Sequence, residues 1–323
     1  MSVAVTGGSG VVGRAVVRHL VDAGEEVWAL ARSSEASSTL SGLGARVVAG
    51  DLFDDDAVVR LMKGRRRVFH IAGVNEMCSR DPQRMWRVNV EGSKRVVEAG
   101  IRVGVERLVH TSSAATIGEP QGEVGTETSL HRGEFLSEYE RSKTVAERLV
   151  LDRAAEIDVV SVNPSSVQGP GRSTGTGAIF LAIARGDLPF LVDTTISLVD
   201  IDDCARGHLL AAEKGRSGER YLLSGPVVTI RQAVAAVHRK MGLRRSPWFV
   251  RPGVLSTAAP LVEALFNLAG KQSPLCAESA RVLLHGHRYD GSRATRELSL
   301  EYTTFEETLD RTLGWFDAEG LLR

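Results

Sequence analysis

Three glycines at three-residue intervals, Gly7, Gly10 and Gly13, lie between the first apolar run of the chain and its first segment of helical periodicity. Glycines at such a strand–helix junction let main-chain amides and a helix N-terminus approach a pyrophosphate. With Val11 and Val12, which begin the predicted helix, they form a predicted dinucleotide-binding loop. A tight strand–helix turn without a ligand is the alternative.

The first half of the chain alternates short β-branched runs with helical segments, which predicts βα units and a parallel sheet covered on both faces. Strands are predicted at residues 3–6, 26–30, 46–50, 67–71, 106–111 and 158–162. Helices are predicted at residues 11–23, 55–63, 82–103 and 137–156. The fold class is therefore α/β, a Rossmann-type doubly wound parallel sheet.

Beyond residue 164 the pattern changes to loops, a short helix at 178–185, and strands at 197–201 and 220–223 that bracket a helix. The later strands predict a return to the sheet before the chain leaves it again. Residues 1–165 and 197–225 are accordingly assigned to the dinucleotide-binding domain. Residues 166–196 and 226–323 are assigned to a smaller, interleaved and mostly helical substrate-binding region.

The end of the second predicted strand indicates which dinucleotide is bound. A cofactor with a free ribose 2′-hydroxyl requires a carboxylate there, about 20 residues after the glycine loop. This chain has Arg32, followed by Ser33 and Ser34. A guanidinium beside two hydroxyls fits a 2′-phosphate through charge-assisted hydrogen bonds. We therefore expect NADP(H) in preference to NAD(H), with a solvated arginine as the alternative.

The next two strands end in residues that suit the rest of a dinucleotide. Asp51 and Leu52 offer a carboxylate edge and an apolar face for an adenine, although a role in capping the next helix is equally open. Ala72 and Gly73 are small enough for close approach of the main chain to a cofactor. His70, just before them, is interpreted as a packed core histidine.

Tyr139 and Lys143 lie four residues apart in the helix predicted at 137–156, which places a phenol and an ammonium on one face. A phenol has a pKa of about 10, so it exchanges protons near neutrality only when a nearby cation lowers that pKa. A tyrosine and a lysine near a dinucleotide loop indicate hydride chemistry at a carbonyl or carbinol carbon.

Composition excludes several other classes. Forty basic and forty acidic side chains balance, and no run of like charge is long enough for a nucleic-acid arm. The N-terminus lacks the pattern of a signal peptide, so we expect a cytoplasmic protein. Residues 252–270 contain Pro260 and Glu263, so we predict an amphipathic helix that covers an apolar pocket. Membrane contact is not expected, because the stretch lacks an uninterrupted apolar run long enough to span a bilayer.

Three cysteines, Cys78, Cys204 and Cys276, are odd in number and widely spaced. That arrangement fits neither a disulfide framework nor a zinc site, and it indicates a reducing compartment. No metal site is predicted.

Taken together, these residues resemble the extended short-chain dehydrogenase/reductase family, over nearly the whole chain. The matching motifs are the glycine loop at 6–13, Asp51-Leu52, Ala72-Gly73, the Asn-Val-Glu-Gly at 89–92, the serines at 112–113, the Tyr139/Lys143 pair, Asn163-Pro164 and the Val-Asp-Ile-Asp-Asp at 199–203. Within the family, the resemblance is greatest to the atypical branch of dihydroflavonol reductases, 3β-hydroxysteroid dehydrogenases and hopanoid-associated sugar epimerases.

The resemblance implies further roles. Ser113 takes the position of the family's catalytic serine, with Ser112 as the alternative, and a hydroxyl that only caps the strand end remains open for either. Asn163 corresponds to a cofactor- or substrate-binding asparagine. A homodimer through the helices predicted at 82–103 and 137–156 is also implied.

The favoured function is hydride transfer between NADP(H) and a carbonyl or hydroxyl carbon of a small apolar substrate, with Ser113, Tyr139 and Lys143 as catalytic residues. Ala114 and Ala115 replace the Asp-Glu pair found in the family's dehydratases, which disfavours dehydration. An NAD-dependent sugar-nucleotide epimerase and a non-catalytic dinucleotide sensor are the alternatives.

Overall fold

The computed structural model describes residues 2–79, 81–270, 273 and 276–322. Its strands are β1 (Ser2–Thr6), β2 (Glu26–Ala31), β3 (Arg46–Ala49), β4 (Arg67–His70), β5 (Arg107–Thr111), β6 (Asp158–Pro164), β7 (Ser166–Gln168), β8 (Phe190–Val192), β9 (Thr195–Asp200), β10 (Arg220–Leu223), β11 (Val227–Thr229) and β12 (Trp248–Val250). Its helices are α1 (Val11–Asp22), α2 (Ser34–Gly42), α3 (Asp55–Met62), α4 (Pro82–Trp86), α5 (Gly92–Val103), α6 (Glu138–Leu151), α7 (Thr176–Arg185), α8 (Ile201–Lys214), α9 (Ile230–Met241), α10 (Pro252–Leu268), α11 (Ala277–His285) and α12 (Phe305–Ala318).

Seven of the strands form one parallel sheet in the order β3-β2-β1-β4-β5-β6-β10. Successive side chains of a strand point to opposite faces, and both faces of this sheet are covered. On β1, Val3 and Val5 pack into the core that contains α1 and α8, whereas Ala4 packs into the core that contains α3 and α5. The predicted Rossmann-type doubly wound sheet is confirmed.

Two smaller sheets lie outside the central one. β7, β9 and β11 form a three-stranded sheet, and β8 pairs with β12. The return to the central sheet is therefore made by β10 alone, because β9 belongs to the three-stranded sheet. A third core, with side chains of α7, α9 and α12 such as Phe180, Val237 and Phe316, packs around this sheet.

The cysteine prediction is wrong for two of the three residues. Cys78, in the loop after β4, and Cys276, the N-cap of α11, form a disulfide with Cα atoms 5.8 Å apart, although 198 residues separate them in the chain. Spacing rules detect local cysteine patterns, so they miss a bond that only the fold brings together. The third cysteine, Cys204, is free and buried in the core.

α10 packs one face against α11 through Leu255, Ala259 and Ala280. Its other face exposes Leu261, Leu265 and Leu268 to solvent. Among the described residues, no helix is both long enough and apolar enough to cross a bilayer.

Candidate active site

The glycine loop joins β1 to α1 at the carboxyl edge of the sheet. Gly7 has a φ of +73°, and a Cβ added there would lie 2.4 Å from the main-chain nitrogen of Ala72. A Cβ at Gly13 would lie 2.1 Å from the carbonyl oxygen of Gly7. Only glycine fits either position, so the loop can pack closely against the end of β4.

The N-terminus of α1 is prepared for an anion. Its N-cap, Gly10, provides no capping side chain, and its first turn carries no acidic residue. The first N–H groups of a helix have no intrahelical partner. The amides of the turn that begins with Val11 and Val12 are therefore available to a pyrophosphate.

Arg32 lies exposed where β2 ends. Its side chain makes no hydrogen bond or ion pair with the described residues. The hydroxyl of Ser33 is engaged, because it accepts a hydrogen bond from Ala36 N at 3.2 Å and caps α2. A phosphate at this strand end would therefore meet a free guanidinium.

The structure brings the predicted catalytic serine and tyrosine together. Ser137 caps α6 by accepting a hydrogen bond from Glu140 N, which fixes Tyr139 in the first helical turn. The Ser113 hydroxyl, just after β5, lies beside the phenol of Tyr139 and acts to lower its pKa. The same hydroxyl also accepts a hydrogen bond from Ala115 N at 3.3 Å, so the strand-end capping role is present as well.

Lys143 follows one turn further along α6 and is 4 % exposed. Its ammonium donates to the carbonyl of Thr111 at 2.6 Å. Burial lowers the pKa of Lys143 to about 8, although the charge of Glu147 acts in the opposite direction. Among the described residues no carboxylate contacts this buried cation, and a main-chain carbonyl holds it instead.

The cation that acts on the Tyr139 phenol is an arginine that the sequence analysis did not single out. Burial raises the pKa of Tyr139 above its usual value, and the nearby Ser113 hydroxyl and the charge of Arg172 oppose that increase. Arg172 lies in the loop after β7, and the Nε atom of its guanidinium is buried without a hydrogen-bond partner among the described residues.

Asn89 links the loop after β4 to α6 beside the site. It lies in a π-helical turn, Arg87–Glu91, between α4 and α5, and it is fully buried. Its side chain accepts from Val74 N at 2.8 Å and donates to Val74 O and to the Ser142 hydroxyl at 2.9 Å. The loop after β4 is thereby fastened to α6, the helix that carries Tyr139.

Comparison with known proteins identifies the family. The model of the NAD dependent epimerase/dehydratase family matches residues 3–224. The chain belongs to this family. Sterol demethylase protein B of Methylococcus capsulatus is 32 % identical over 100 % of both chains. The solved structure of gox2253 covers 100 % of this chain and 99 % of its own, with a TM-score of 0.87 and 29 % identity.

Relatives of this epimerase/dehydratase-family protein carry the names of reductases, dehydrogenases and epimerases, such as the ceramide reductase of Caulobacter vibrioides and the UDP-glucose 4-epimerase of Streptomyces lividans. The protein is thus an NAD(P)-dependent enzyme of the extended short-chain dehydrogenase/reductase superfamily, as the sequence predicted.

Other residues predicted to bind cofactor lie along the same carboxyl edge. A Cβ added at Gly73 would lie 3.8 Å from the Lys143 ammonium, so the end of β4 passes beside that group. Leu52 is buried, and Asp51 accepts a hydrogen bond from Phe53 N at 3.0 Å. The cap of α3 is Asp54, so Asp51 does not cap that helix.

Asn163 and His70 are both buried beneath the site. The Asn163 amide donates to Ser113 O at 3.2 Å and to the Thr116 hydroxyl at 2.9 Å. These contacts support the main chain of Ser113 from below. His70 is held between Thr6 and the Ser93 hydroxyl, at 2.7 and 2.9 Å, and burial lowers its pKa to about 3. His70 is the packed core histidine that was predicted.

Proposed function

We propose that this enzyme is an NADP(H)-dependent oxidoreductase that transfers a hydride between the nicotinamide and a carbonyl or hydroxyl carbon of a small, apolar substrate. The observation that carries the proposal is the placement of Ser113 beside the Tyr139 phenol, at the same edge of the sheet as the glycine loop. Acid–base catalysis requires these two groups within hydrogen-bonding reach of one substrate oxygen.

Tyr139 acts as the proton donor in the reductive direction. Because burial keeps the pKa of Tyr139 above its usual value, the phenol is protonated at neutral pH and has a proton to give. Ser113 orients the phenol and holds the substrate oxygen, while Asn163 fixes the carbonyl of Ser113. NADPH, when bound, supplies the hydride.

The residues at the strand ends fit this cofactor. Lys143, beside Gly73, holds the nicotinamide ribose, and the uncapped N-terminus of α1 holds the pyrophosphate. The exposed guanidinium of Arg32 binds the 2′-phosphate, since no carboxylate competes for it in the described structure. These contacts support NADP(H) in preference to NAD(H).

The choice of an apolar substrate rests on two observations. The C-terminal region contributes α10, which presents Leu261 and Leu265 at its surface and carries a single charged residue, Glu263. The full-length relative named sterol demethylase protein B points to the same class of molecule. We therefore favour a ketone, an aldehyde or a sterol-like carbonyl compound as the substrate.

One observation favours a sugar-nucleotide epimerase as the second candidate. Arg172 lies near Tyr139 with an unpartnered Nε atom, and a guanidinium in that position suits the diphosphate of a nucleotide sugar. An epimerase of this kind would retain NAD through purification, whereas the proposed reductase would exchange NADPH freely.

The experiment is NADPH consumption by the purified protein against a panel of ketones, aldehydes and sterols, with UDP-glucose epimerisation assayed in parallel. With the best substrate, Tyr139→Phe lowers turnover by at least about 100-fold and leaves the Kd for NADPH nearly unchanged. Ser113→Ala also lowers turnover. Ser112→Ala is the matched control, because the Ser112 hydroxyl is buried without a hydrogen-bond partner among the described residues.

Full turnover by Tyr139→Phe, or equal losses in the two serine variants, would contradict the assignment. Tightly bound NAD together with epimerisation of UDP-glucose would favour the second candidate.

A homodimer through the segments predicted as helices at 82–103 and 137–156 remains part of the proposal. Size-exclusion chromatography with light scattering tests it, and a monomer at micromolar concentration would refute it.

A further inference from the structure

A carboxylate and two imidazoles converge where the C-terminal segment meets the loop after β5. The groups are Glu119, His285 and His287, and their potential ligand atoms all lie within 4.8 Å of one another. The Glu119 side chain is 1 % exposed and the His285 side chain 6 %. This Glu-His-His cluster is therefore enclosed by protein and is not a group of surface charges.

Two atoms of the cluster lack hydrogen-bond partners in the described structure. They are Oε2 of Glu119 and Nε2 of His285, and both are buried. An unpartnered polar atom in the interior costs about 1–3 kcal/mol, so native structures pair nearly all such atoms or place an ion or water beside them. The carboxylate oxygen and the ring nitrogen lie close together, and each can still bind an ion.

The negative charge of Glu119 is paired with histidines and not with a lysine or arginine side chain among the described residues. Within the described ranges, its ion-pair partners are the two histidines, with Oε1 3.4 Å from His285 Nε2 and 2.7 Å from His287 Nδ1. Burial raises the pKa of Glu119, but the two neighbouring histidines bring it down to about 2, so the carboxylate is ionised at neutral pH. The neighbouring Arg132 guanidinium bonds the main-chain oxygen of Glu119 and pairs its charge with Glu140.

The backbone holds the histidines in place. His285 ends α11, and His287 N donates to the carbonyl oxygen of Thr195, the first residue of β9, at 3.0 Å. The carbonyl of His287 accepts from the Ser197 hydroxyl at 3.2 Å. The Tyr289 phenol lies 2.9 Å from His287 Nδ1, the ring atom that also faces Glu119. The main-chain contacts keep both histidines beside the carboxylate.

We propose that Glu119, His285 and His287 bind a divalent metal ion of the zinc class. A carboxylate and two imidazoles form a preferred donor set for Zn²⁺ with a fourth position left to water or another ligand. With metal–ligand bonds of about 2.0–2.1 Å, tetrahedral donors lie about 3.3–3.4 Å apart. The 3.4 Å separation of Glu119 and His285 already fits, and a small rotation of the His287 ring opens its 2.7 Å contact. The ion would fasten the C-terminal segment to the loop after β5.

The test is metal analysis of tag-free protein that has been stripped with EDTA, incubated with ZnCl₂ and dialysed extensively. Wild-type protein is expected to retain about one zinc ion per chain. Glu119→Gln and His285→Asn are expected to retain less than about one tenth of that amount. His238→Asn, which removes a largely buried histidine of α9 far from the cluster in sequence, is the matched control and retains zinc like the wild type.

Two further measurements use the wild type alone and do not depend on the folding of a variant. Saturating zinc raises the Tm of the stripped protein by about 4 °C, as expected for a ligand present at about 100 times its Kd in a chain of this size. Co²⁺ produces the visible absorption of a four- or five-coordinate site. Zinc retention below about one tenth per chain in the wild type, or equal retention by the cluster variants, overturns the proposal. The cluster would then be a buried Glu-His-Tyr hydrogen-bond network.

Discussion

The Lys143 ammonium donates a 2.6 Å hydrogen bond to the carbonyl oxygen of Thr111, at the end of β5. The lysine is therefore held at the carboxyl edge of the sheet, and Arg172 is the cation that acts on the Tyr139 phenol. The contact also fixes a positive charge in a buried position, where burial lowers the pKa of Lys143 to about 8.

This shift predicts a pH dependence of stability. The folded pKa of about 8 lies below the ordinary value of 10.5, so the cost of burying the charge is fully present below pH 8. Between these pH values the unfolded chain binds the proton and the folded chain does not, so the free energy of unfolding rises with pH. By pH 10.5 the wild type should gain about 3 kcal/mol relative to Lys143→Met. Urea unfolding of both proteins, without cofactor, measures the difference. Parallel pH profiles would contradict the shift.

Arg32 predicts the cofactor preference. Removing a charge-assisted contact to a phosphate costs about 1.5–3 kcal/mol, so Arg32→Ala should raise the KM for NADPH by about 10- to 100-fold. The KM for NADH should hardly change, because NADH has no 2′-phosphate. Arg102→Ala, at an exposed position near the end of α5, is the control and should leave both constants unaltered. Equal effects of Arg32→Ala on the two cofactors would show that Arg32 does not read the phosphate.

The Cys78–Cys276 disulfide should contribute to stability because it closes a loop across 198 residues of the unfolded chain. Its reduction should lower the free energy of unfolding by about 2–5 kcal/mol. Denaturant unfolding with and without reductant measures the change. Cys78→Ser should be as unstable as the reduced wild type and insensitive to reductant, whereas Cys204→Ala should keep the full response. A wild type that does not respond to reductant would refute this contribution.

Elements specified by neighbouring residues were predictable from the sequence, whereas contacts between distant residues were not. The central strands and α1 were predictable because burial on both faces and the 3.6-residue period are written in adjacent residues. The helix Ser34–Gly42 was not predicted, because its serine-rich sequence lacks a clear apolar period. The one local signal of its start is Ser33, which caps its N-terminus. The helix predicted to extend to residue 156 ends at Leu151.

Some residues of the candidate site were also predictable from local patterns, and others were not. The Tyr139/Lys143 spacing and the glycine loop are local patterns, and both were found. Arg172 approaches Tyr139 from a loop 33 residues away in the chain, and only the proline- and glycine-rich stretch before it marked that loop as special. The disulfide and the Glu119 cluster depend on the folding of the C-terminal segment against the N-terminal half of the chain. No local pattern contains that information.

The position of Arg172 predicts the pH dependence of alcohol oxidation, the reaction direction in which Tyr139 must be deprotonated. Oxidation of an alcohol requires deprotonated Tyr139, so the rise of kcat/KM with pH follows the pKa of the phenol. The charge of Arg172 lowers that pKa, so Arg172→Met should move the rise to higher pH, and Arg172→Lys should restore it in part. The measurement is the pH profile of NADP⁺ reduction with the alcohol product of the best substrate.

An unchanged profile in Arg172→Met, with a large increase in KM for a nucleotide sugar, would instead place Arg172 on a substrate diphosphate. That result would favour the epimerase candidate, because a guanidinium bound to phosphate oxygens no longer sets the phenol pKa.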